Sequence, residues 1–429
     1  MEKFVSIQEA LEQKKGQVQI RGWVYRETKM KDKVFLVMRD SSNIIQCVIR
    51  KEDVEEKQWK DLQKVLIETS MMLKGTIRED KRAPTGYEID ISEFKIVSYA
   101  EPFPIGKDLS EEFLLDVRHL WLRSRKLTSS LKIRSTVLGS LHETLRKKGF
   151  IEAEAPTFNA ATSEGGSEVF KLDYFGKKAY LTQSWQFYAE NFINAFEKVY
   201  AIAPSFRAEK SRTTRHLTEF WHCEVEEAWA SRDDLIKIAE DCVMNCIKKV
   251  LEENKVELQA LDVNENYFKK IKAPFPRITY KDAIKKLQEK GFKIKYGDDF
   301  GGKEEKELAK FYDNFIVVTN YPLEILKFYH GEDPKNLGTG MNFNILAPNV
   351  GEIADGSERE PSLEKIQERL KKAKIDLGDS DWYLDSRRYG SVPHAGFGLG
   401  TERLVQWICK LDNIRDAIPF PRTITRLRP

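Results

Sequence analysis

The chain is short of cysteine, of long apolar runs and of net charge. Five cysteines are spread over 429 residues, and of these Cys242 and Cys246 alone lie close together. That pair stands about one helical turn apart in an apolar periodic stretch, with no histidine or further cysteine beside it. Such spacing excludes a disulfide framework and a zinc pattern, and predicts core residues of a reduced protein. No stretch approaches the roughly 20 apolar residues of a membrane-spanning helix. The opening MEKFVSIQEALEQKK is charged and lacks the apolar centre of a leader peptide, so the expectation is a cytoplasmic chain without a membrane partner. Net charge is +3 although 32% of residues are charged. A bulk polycation is thereby excluded, and any nucleic-acid contact must use local patches. The phosphate-loop pattern GxxxxGK[ST] is absent as well, which removes the P-loop nucleotide folds.

What is present is enough apolar residue, 41% of the chain, for two or three domains with a large core. Between residues 16 and 99 run five short alternating segments, VQIRGWVYRE, KVFLVMRD, NIIQCVIRK, SMMLKGTIRED and YEIDISEFKIVSYA. A helical stretch at 54–66 follows the third. That order predicts an OB-fold barrel, which binds single-stranded nucleic acid through stacked aromatics and basic side chains. Tyr25, Arg26, Phe35, Gln46 and the loop 29–33 suit that use, although spacing alone serves equally for Phe35 as a core residue. Residues 101–110 hold two prolines and a glycine and read as a linker. Helical periodicity then runs from Leu131 to Leu145 and stops at Gly149, a C-terminal cap. Ser231 with Asp234 opens a second amphipathic helix.

The richest stretch is 206–226, FRAEKSRTTRHLTEFWHCEVE. A strand-like run before it, a basic loop at 210–215 and a strand-like return at 217–225 predict a long hairpin. Alternation places Arg207 and Glu209 on one face of the first strand. The returning strand offers Phe220, His222 and Glu224, or the complementary set. An arginine for a phosphate, a carboxylate for an exocyclic amine and an aromatic plate for a base together make a nucleotide site. The plain alternative is a surface ladder of cross-strand ion pairs.

This string resembles motif 2 of the class II aminoacyl-tRNA synthetases, in the subclass of aspartyl, asparaginyl and lysyl enzymes. Other segments match in order. GWV, VFLVMRD and IIQCV resemble the subclass's anticodon-binding barrel, FLLDVRHLWLRSR its hinge, GFIEAEAPTF motif 1 and YGSVPHAGFGLGTERLVQWICKL motif 3. The resemblance implies an α+β chain with a five-stranded OB barrel at 1–100, a hinge at 101–125 and a catalytic domain at 126–429. That domain would be an antiparallel sheet flanked by helices, with an insertion at about 255–315 and a homodimer interface through motif 1.

The resemblance also implies roles. ATP would meet Arg207, Glu209, Arg215, His216, Phe220, Glu352, Gly400 and Arg403, with Arg207 and Arg403 stabilising charge at the phosphates. Glu164 and Gln186 would hold the α-ammonium of the amino acid, and Glu224 and Arg359 its side chain. Phe35 and Gln46 would read the central anticodon uridine, with Arg26 and Arg78 as further contacts. Glu352 would bind magnesium; Asn344 stands where the family has an aspartate, which leaves its place as a ligand open. Aspartyl enzymes carry QSPQxxK, whose lysine pairs with the substrate carboxylate, whereas this chain has QSWQFYA with Ala189 at that place. Glu224 replaces an aspartate and would accept from a side-chain amide while repelling a carboxylate. The activity implied is ATP-dependent ligation of L-asparagine to tRNA(Asn) through an adenylate. The alternatives are an aspartyl enzyme charging both tRNAs, an ammonia-dependent asparagine synthetase (whose paralogues lack the barrel) and a noncatalytic RNA-binding paralogue. Arg207, Glu209, Phe220 and Arg403 speak against the last, and Asn344 for it.

Overall fold

Alternating apolar residues close the N-terminal segment into a barrel. Its strands are β1 (Gly16–Lys29), β2 (Lys33–Arg39), β3 (Ile44–Arg50), β4 (Ser70–Glu79) and β5 (Tyr87–Ser98), arranged β1-β2-β3-β5-β4. The structure is a computed structural model and describes residues 3–106, 110–160, 168–210 and 213–429. Two compact units divide it, Met1–Leu114 and Leu115–Pro429. In the first, Val34, Leu36 and Met38 of β2 and Ile45, Cys47 and Ile49 of β3 point inward and are buried. Period-two geometry therefore turns Phe35 and Gln46 outward, so Phe35 is not part of the barrel core. A helix Ile7–Gln13, opened by a Ser6–Glu9 capping box, adds Ile7 and Ala10 to that core. The helix after β3 covers Glu56–Leu62 rather than 54–66, because Val54 is extended and Glu55 forms the cap.

In the second unit the helix Arg125–Lys147 buries Ile133, Val137, Leu141 and Leu145. Gly149 follows at φ +83°, a left-handed position that favours glycine. The next strands are β6 (Ile151–Glu152), β7 (Phe158–Asn159), β8 (Lys171–Tyr174), β9 (Lys177–Leu181), β10 (Lys198–Phe206) and β11 (Glu219–Ala228). After these come β12 (Arg277–Thr279), β13 (Ile316–Thr319), β14 (Asn342–Ala347), β15 (Gly351–Glu358) and β16 (His394–Gly400). β7, β9 and β8 form a small sheet, and the remaining eight form one large sheet in the order β12-β13-β14-β15-β16-β11-β10-β6. Its six central strands are antiparallel as expected, but both edge strands pair in parallel, β6 with β10 and β12 with β13. Each parallel pair is separated in sequence by at least one helix, the crossover that parallel pairing needs.

One face of the sheet is sealed by the helices Arg125–Lys147 and Arg232–Glu253, the latter opened by a Ser231–Asp234 capping box. Cys223 and Val225 of β11 and Ala395, Phe397 and Leu399 of β16 point into that core, together with Cys242 and Cys246. All five cysteines are buried and free. Alternate residues of the same strands consequently face the other way, onto an open floor. No described helix is long and apolar enough to cross a membrane.

Candidate active site

The floor is a cross-strand pattern. β10 and β11 pair from Lys198↔Glu227 to Phe206↔Glu219, and β11 pairs with β16 so that His222, Glu224 and Glu226 stand opposite Gly400, Gly398 and Gly396. Gly398 and Gly396 in turn face Asp355 and Ser357 of β15, and Asp355 faces Asn344 of β14. Side chains thus rise from β11 and β15 on either side of a bare glycine strand. The bareness is required: a Cβ on Gly396 would come within 1.8 Å of the Glu226 carboxylate, and one on Gly398 within 3.1 Å of the His222 ring.

The groove has two chambers. The outer one is lined by Arg207, Glu209, Arg215, Phe220, Glu352 and Arg403, among others. The first strand ends at Phe206, as expected. Arg207 N–H still donates to Thr218 across the hairpin at 3.0 Å, but Ala208 N–H turns away and donates to Glu168. Arg207 and Glu209 accordingly sit in the connecting loop rather than on a strand face, yet both line the chamber. The Arg207 guanidinium lies 5.5 Å from the Phe220 ring centre, a cation–π geometry. Glu209 is 3.8 Å from Arg207 and 3.6 Å from the His216 ring. Arg403 donates at 2.9 Å to both the carbonyl and the carboxylate of Glu352, whose other oxygen accepts from the Asn344 amide at 2.7 Å. Arg215 reaches Glu305, on the helix Gly302–Lys310, and Glu305 also accepts from Glu352 N–H at 2.9 Å. Burial, with Arg403 and Arg215 beside it, lowers the His216 pKa to about 4. His222, which borders both chambers, is lowered to about 3 by burial and by Arg207. Both rings are therefore neutral near pH 7.

The inner chamber is lined by Ser184, Gln186, Glu224, Glu226, Tyr329 and Arg359, among others, with Arg207 at its mouth. Glu224 is buried and accepts from the Ser184 hydroxyl and from Trp185 N–H at 2.9 Å. Arg359 gives Glu226 a bidentate pair, Nε to one oxygen at 3.0 Å and Nη2 to the other at 2.9 Å, and donates from Nη1 to Ser357 at 3.1 Å. Gln186 donates to Glu190 at 2.8 Å, and Glu190 also accepts from Tyr383, Arg387 and His394. Burial alone would raise the Glu190 carboxyl, but Arg387 and His394 together hold it well below the usual range. Among the described residues, Glu190, Glu226 and His394 are close enough to bracket a cation. Arg387 and Arg359 already fill that role, so the cluster is an ion-pair network.

The sequence-predicted residues thus meet in one groove, with exceptions. Ala189 lines neither chamber; its methyl is fully buried beside Trp185, Ile193 and Val199. A Cβ on Gly400 would make no contact closer than 3.6 Å, so that glycine is not sterically forced. Glu164 lies outside the described residues. Glu226, Glu190, Arg387 and Glu305 were not foreseen. Glu226 lies two residues beyond Glu224 on the same strand face, and Glu190 one turn beyond Gln186, so both carried a periodic signal. Arg387 and Glu305 are 197 and 90 residues from the partners they meet and carried none.

On the barrel, Arg26, Val37, Gln46, Glu88 and Arg78 form a cross-strand row, with Phe35 two residues from Val37 on the same face. Glu88, unforeseen, accepts from Gln46 at 2.8 Å and from Arg78 at 2.5 Å, which fixes the Gln46 amide.

The model of the tRNA synthetases class II (D, K and N) matches residues 110–424, and that of the OB-fold nucleic acid binding domain residues 18–97. The chain belongs to the class II tRNA synthetases of the D, K and N group. Within this family it is 47% identical to the asparagine–tRNA ligase of Thermoplasma acidophilum, over 96% of this chain and 97% of that one. The corresponding ligase of Thermococcus gammatolerans is 45% identical over 96% of each. The crystal structure of the Pyrococcus horikoshii asparaginyl-tRNA synthetase complexed with asparaginyl-adenylate matches all of both chains with a TM-score of 0.94 and 42% identity. The aspartyl-tRNA synthetase of Entamoeba histolytica shares the fold, with a TM-score of 0.86 over 100% of this chain and 93% of that one, but 25% identity.

Proposed function

We propose that this synthetase activates L-asparagine with ATP and ligates it to tRNA(Asn). The observation that carries the assignment is the inner chamber: a groove that shares Arg207 and His222 with the outer chamber ends among Glu224, Glu226 and Arg359, and its arginine is already paired with a carboxylate. Such an end accepts a side-chain amide and disfavours a carboxylate.

In the first step the asparagine carboxylate attacks the α-phosphorus in line. The new P–O bond forms as the bond to the bridging oxygen breaks, and pyrophosphate leaves with the charge. A carboxylate is already a nucleophile, so the protein supplies position and charge rather than a base. Arg207 stands where the chambers join and would take the α-phosphate; Arg403, Arg215 and His216 would take the outer phosphates. Phe220 would stack on the adenine, Glu209 would accept from its amine, and backbone at Gly400 would border the nucleotide. Gln186, held by Glu190, would accept from the α-ammonium with Glu164. Glu224 and Arg359 would meet the side-chain amide. In the second step the terminal ribose hydroxyl of the tRNA attacks the adenylate and AMP leaves.

Magnesium suits the donors at the outer chamber. Glu352 and Asp355 are carboxylates on its lining, and the Asn344 amide nitrogen is spent on Glu352, which leaves its oxygen as an acceptor. Hard oxygen ligands of this kind would hold the ion, which when bound offsets the charge of the phosphates. On the barrel, Phe35 and Gln46 would read the central anticodon base, with Arg26 and Arg78 against the backbone. A homodimer through the helix Arg125–Lys147 and the segment after it is supported by the exposed Ile151 and Phe158, and sedimentation would test it. Five free buried cysteines suit a cytoplasmic setting.

The test is aminoacylation of unfractionated tRNA with labelled asparagine and, separately, labelled aspartate. Charging with asparagine is expected, and charging with aspartate instead would overturn the assignment.

A further inference from the structure

Arg207, Arg215 and Arg403 line the outer chamber, and each is met by a carboxylate. Arg403 is met by Glu352 of β15 and Arg207 by Glu209 of the hairpin loop. The carboxylate that meets Arg215 comes from outside the hairpin and the floor. Glu305 stands on the helix Gly302–Lys310, in the segment between β11 and β14. Leu308 and Ala309 of that helix pack in one apolar cluster with Ile316, Val318 and Leu346 of the sheet, which fixes the helix in place. The Arg215 and Glu305 side chains are largely buried, at 12% and 8% exposure. One Glu305 oxygen accepts both from Arg215 Nη1 and from Glu352 N–H, the latter at 2.9 Å. The backbone makes room on two sides. A Cβ on Gly302 would come within 3.1 Å of the Arg215 guanidinium carbon. One on Gly351, which sits at φ +92°, would come within 2.5 Å of both Arg215 Nη1 and the Glu305 carboxylate. Arg215 thus lies in a slot made by two glycines and a carboxylate. A guanidinium has five N–H donors, so a hold at Nη1 leaves its other edge for a ligand. Without Glu305 the same cation would share the chamber with Arg207 and Arg403 uncompensated, and like charges repel. It would turn toward solvent, and a nucleotide would have to order it again.

We propose that Glu305 is a positioning residue for ATP: it holds Arg215 ready for the outer phosphates, so the segment between β11 and β14 completes the nucleotide site. This rests on the reading of the outer chamber as the ATP site given above. A carboxylate that merely cancelled the charge of Arg215 would make the opposite prediction, since its removal would strengthen the pull on ATP. A purely structural ion pair would make a third, since its loss would weaken every nucleotide alike.

The experiment measures equilibrium binding of ATP and, separately, of AMP to the full-length protein by titration calorimetry, with no amino acid present. The proteins are wild type, Glu305→Gln, Arg215→Ala and the double variant. Glu305→Gln keeps the size of the side chain and removes its charge. ATP is expected to bind about five- to tenfold more weakly, the scale of one charge-assisted hydrogen bond. AMP, which lacks the outer phosphates, is expected to stay within about twofold of wild type. Arg215→Ala should show the same pattern. Adding Glu305→Gln to it should weaken ATP by less than about twofold more, since a residue that acts through another has no effect once that one is gone. Unchanged or tighter ATP binding in Glu305→Gln would overturn the proposal, as would an equal loss for AMP or additive losses in the double variant. Should Glu305→Gln fail to fold, Glu305→Asp keeps the charge and withdraws it by one methylene. It is expected to weaken ATP by about threefold and to spare AMP, and unchanged ATP binding would contradict the proposal. Failure of the reading of Arg215 would show as undiminished ATP binding in Arg215→Ala, independent of the Glu305 variants, and would overturn the proposal with it. The asparagine assignment does not enter, because the readout is nucleotide binding alone.

Discussion

The two chambers of the groove are built from the same sheet but by opposite rules. At the inner chamber, charges are buried and tightly paired: Glu226 with Arg359 at 2.9 Å on its lining, and Glu190 with Arg387 behind Gln186. In the outer chamber Arg215–Glu305 and Arg403–Glu352 are close pairs as well, but the contacts around Glu209 are looser and wetter. Arg207 is 3.8 Å from Glu209 and His216 is 3.6 Å from it, with side chains about a quarter exposed. A chamber that must receive a flexible polyphosphate, and release pyrophosphate, is served by cations that can change partners. A chamber that must tell an amide from an isosteric carboxylate is served by charges that cannot. Selectivity is thus stored as a fixed field, while catalysis is stored as movable charge.

The comparison breaks most visibly at Glu190. Glu190→Ala leaves Arg387 buried without its carboxylate, and denaturant unfolding is expected to show a loss of about 3–5 kcal/mol. The same truncation in the outer chamber should behave in reverse. Arg207→Ala is expected to leave stability within about 0.5 kcal/mol of wild type while lowering the rate of adenylate formation by about 10²–10³-fold. Arg207→Lys should recover only part of that rate, because a lysine lacks the planar fork.

A third expectation lies on the barrel. Phe35→Ala should raise KM for tRNA by about tenfold, in line with roughly 1–3 kcal/mol for a stacked base, and should leave tRNA-independent pyrophosphate exchange unchanged. The smallest effect is in pH. His222 and His216 titrate near 3 and 4 in the folded chain against about 6.5 when unfolded. Between those values the unfolded state binds more protons, so stability falls as pH drops from about 6.5 toward 3 and is flat in this respect above about 7. His222→Asn should reduce that slope by up to about one proton, measured by unfolding at a series of pH values.

The barrel was legible because alternation is a local rule. Val34, Leu36 and Met38 turn inward, as a strand period dictates, while spacing alone left the outward turn of Phe35 open. The caps at Ser231 and Gly149 were legible for the same reason. The loop position of Arg207 and Glu209 was not, since what draws the chain aside after β10 is a bond from Ala208 to Glu168, 40 residues away in sequence. The motif strings placed Arg207, Phe220, Glu224, Glu352, Arg359 and Arg403 in one groove. They could not show that Arg359 arrives already paired, because its partner lies 133 residues off. Nor could they show that the methyl of Ala189 turns into the apolar cluster with Trp185 rather than toward the chamber. Charge pairing between distant segments is decided by packing, and a linear pattern carries little of it.

The most direct test of asparagine activation is ATP–pyrophosphate exchange by the purified wild-type protein at saturating magnesium, with asparagine or aspartate as the sole amino acid. The geometry of the inner chamber predicts exchange with asparagine and little with aspartate. Exchange that favours aspartate, or none with either amino acid, would contradict it.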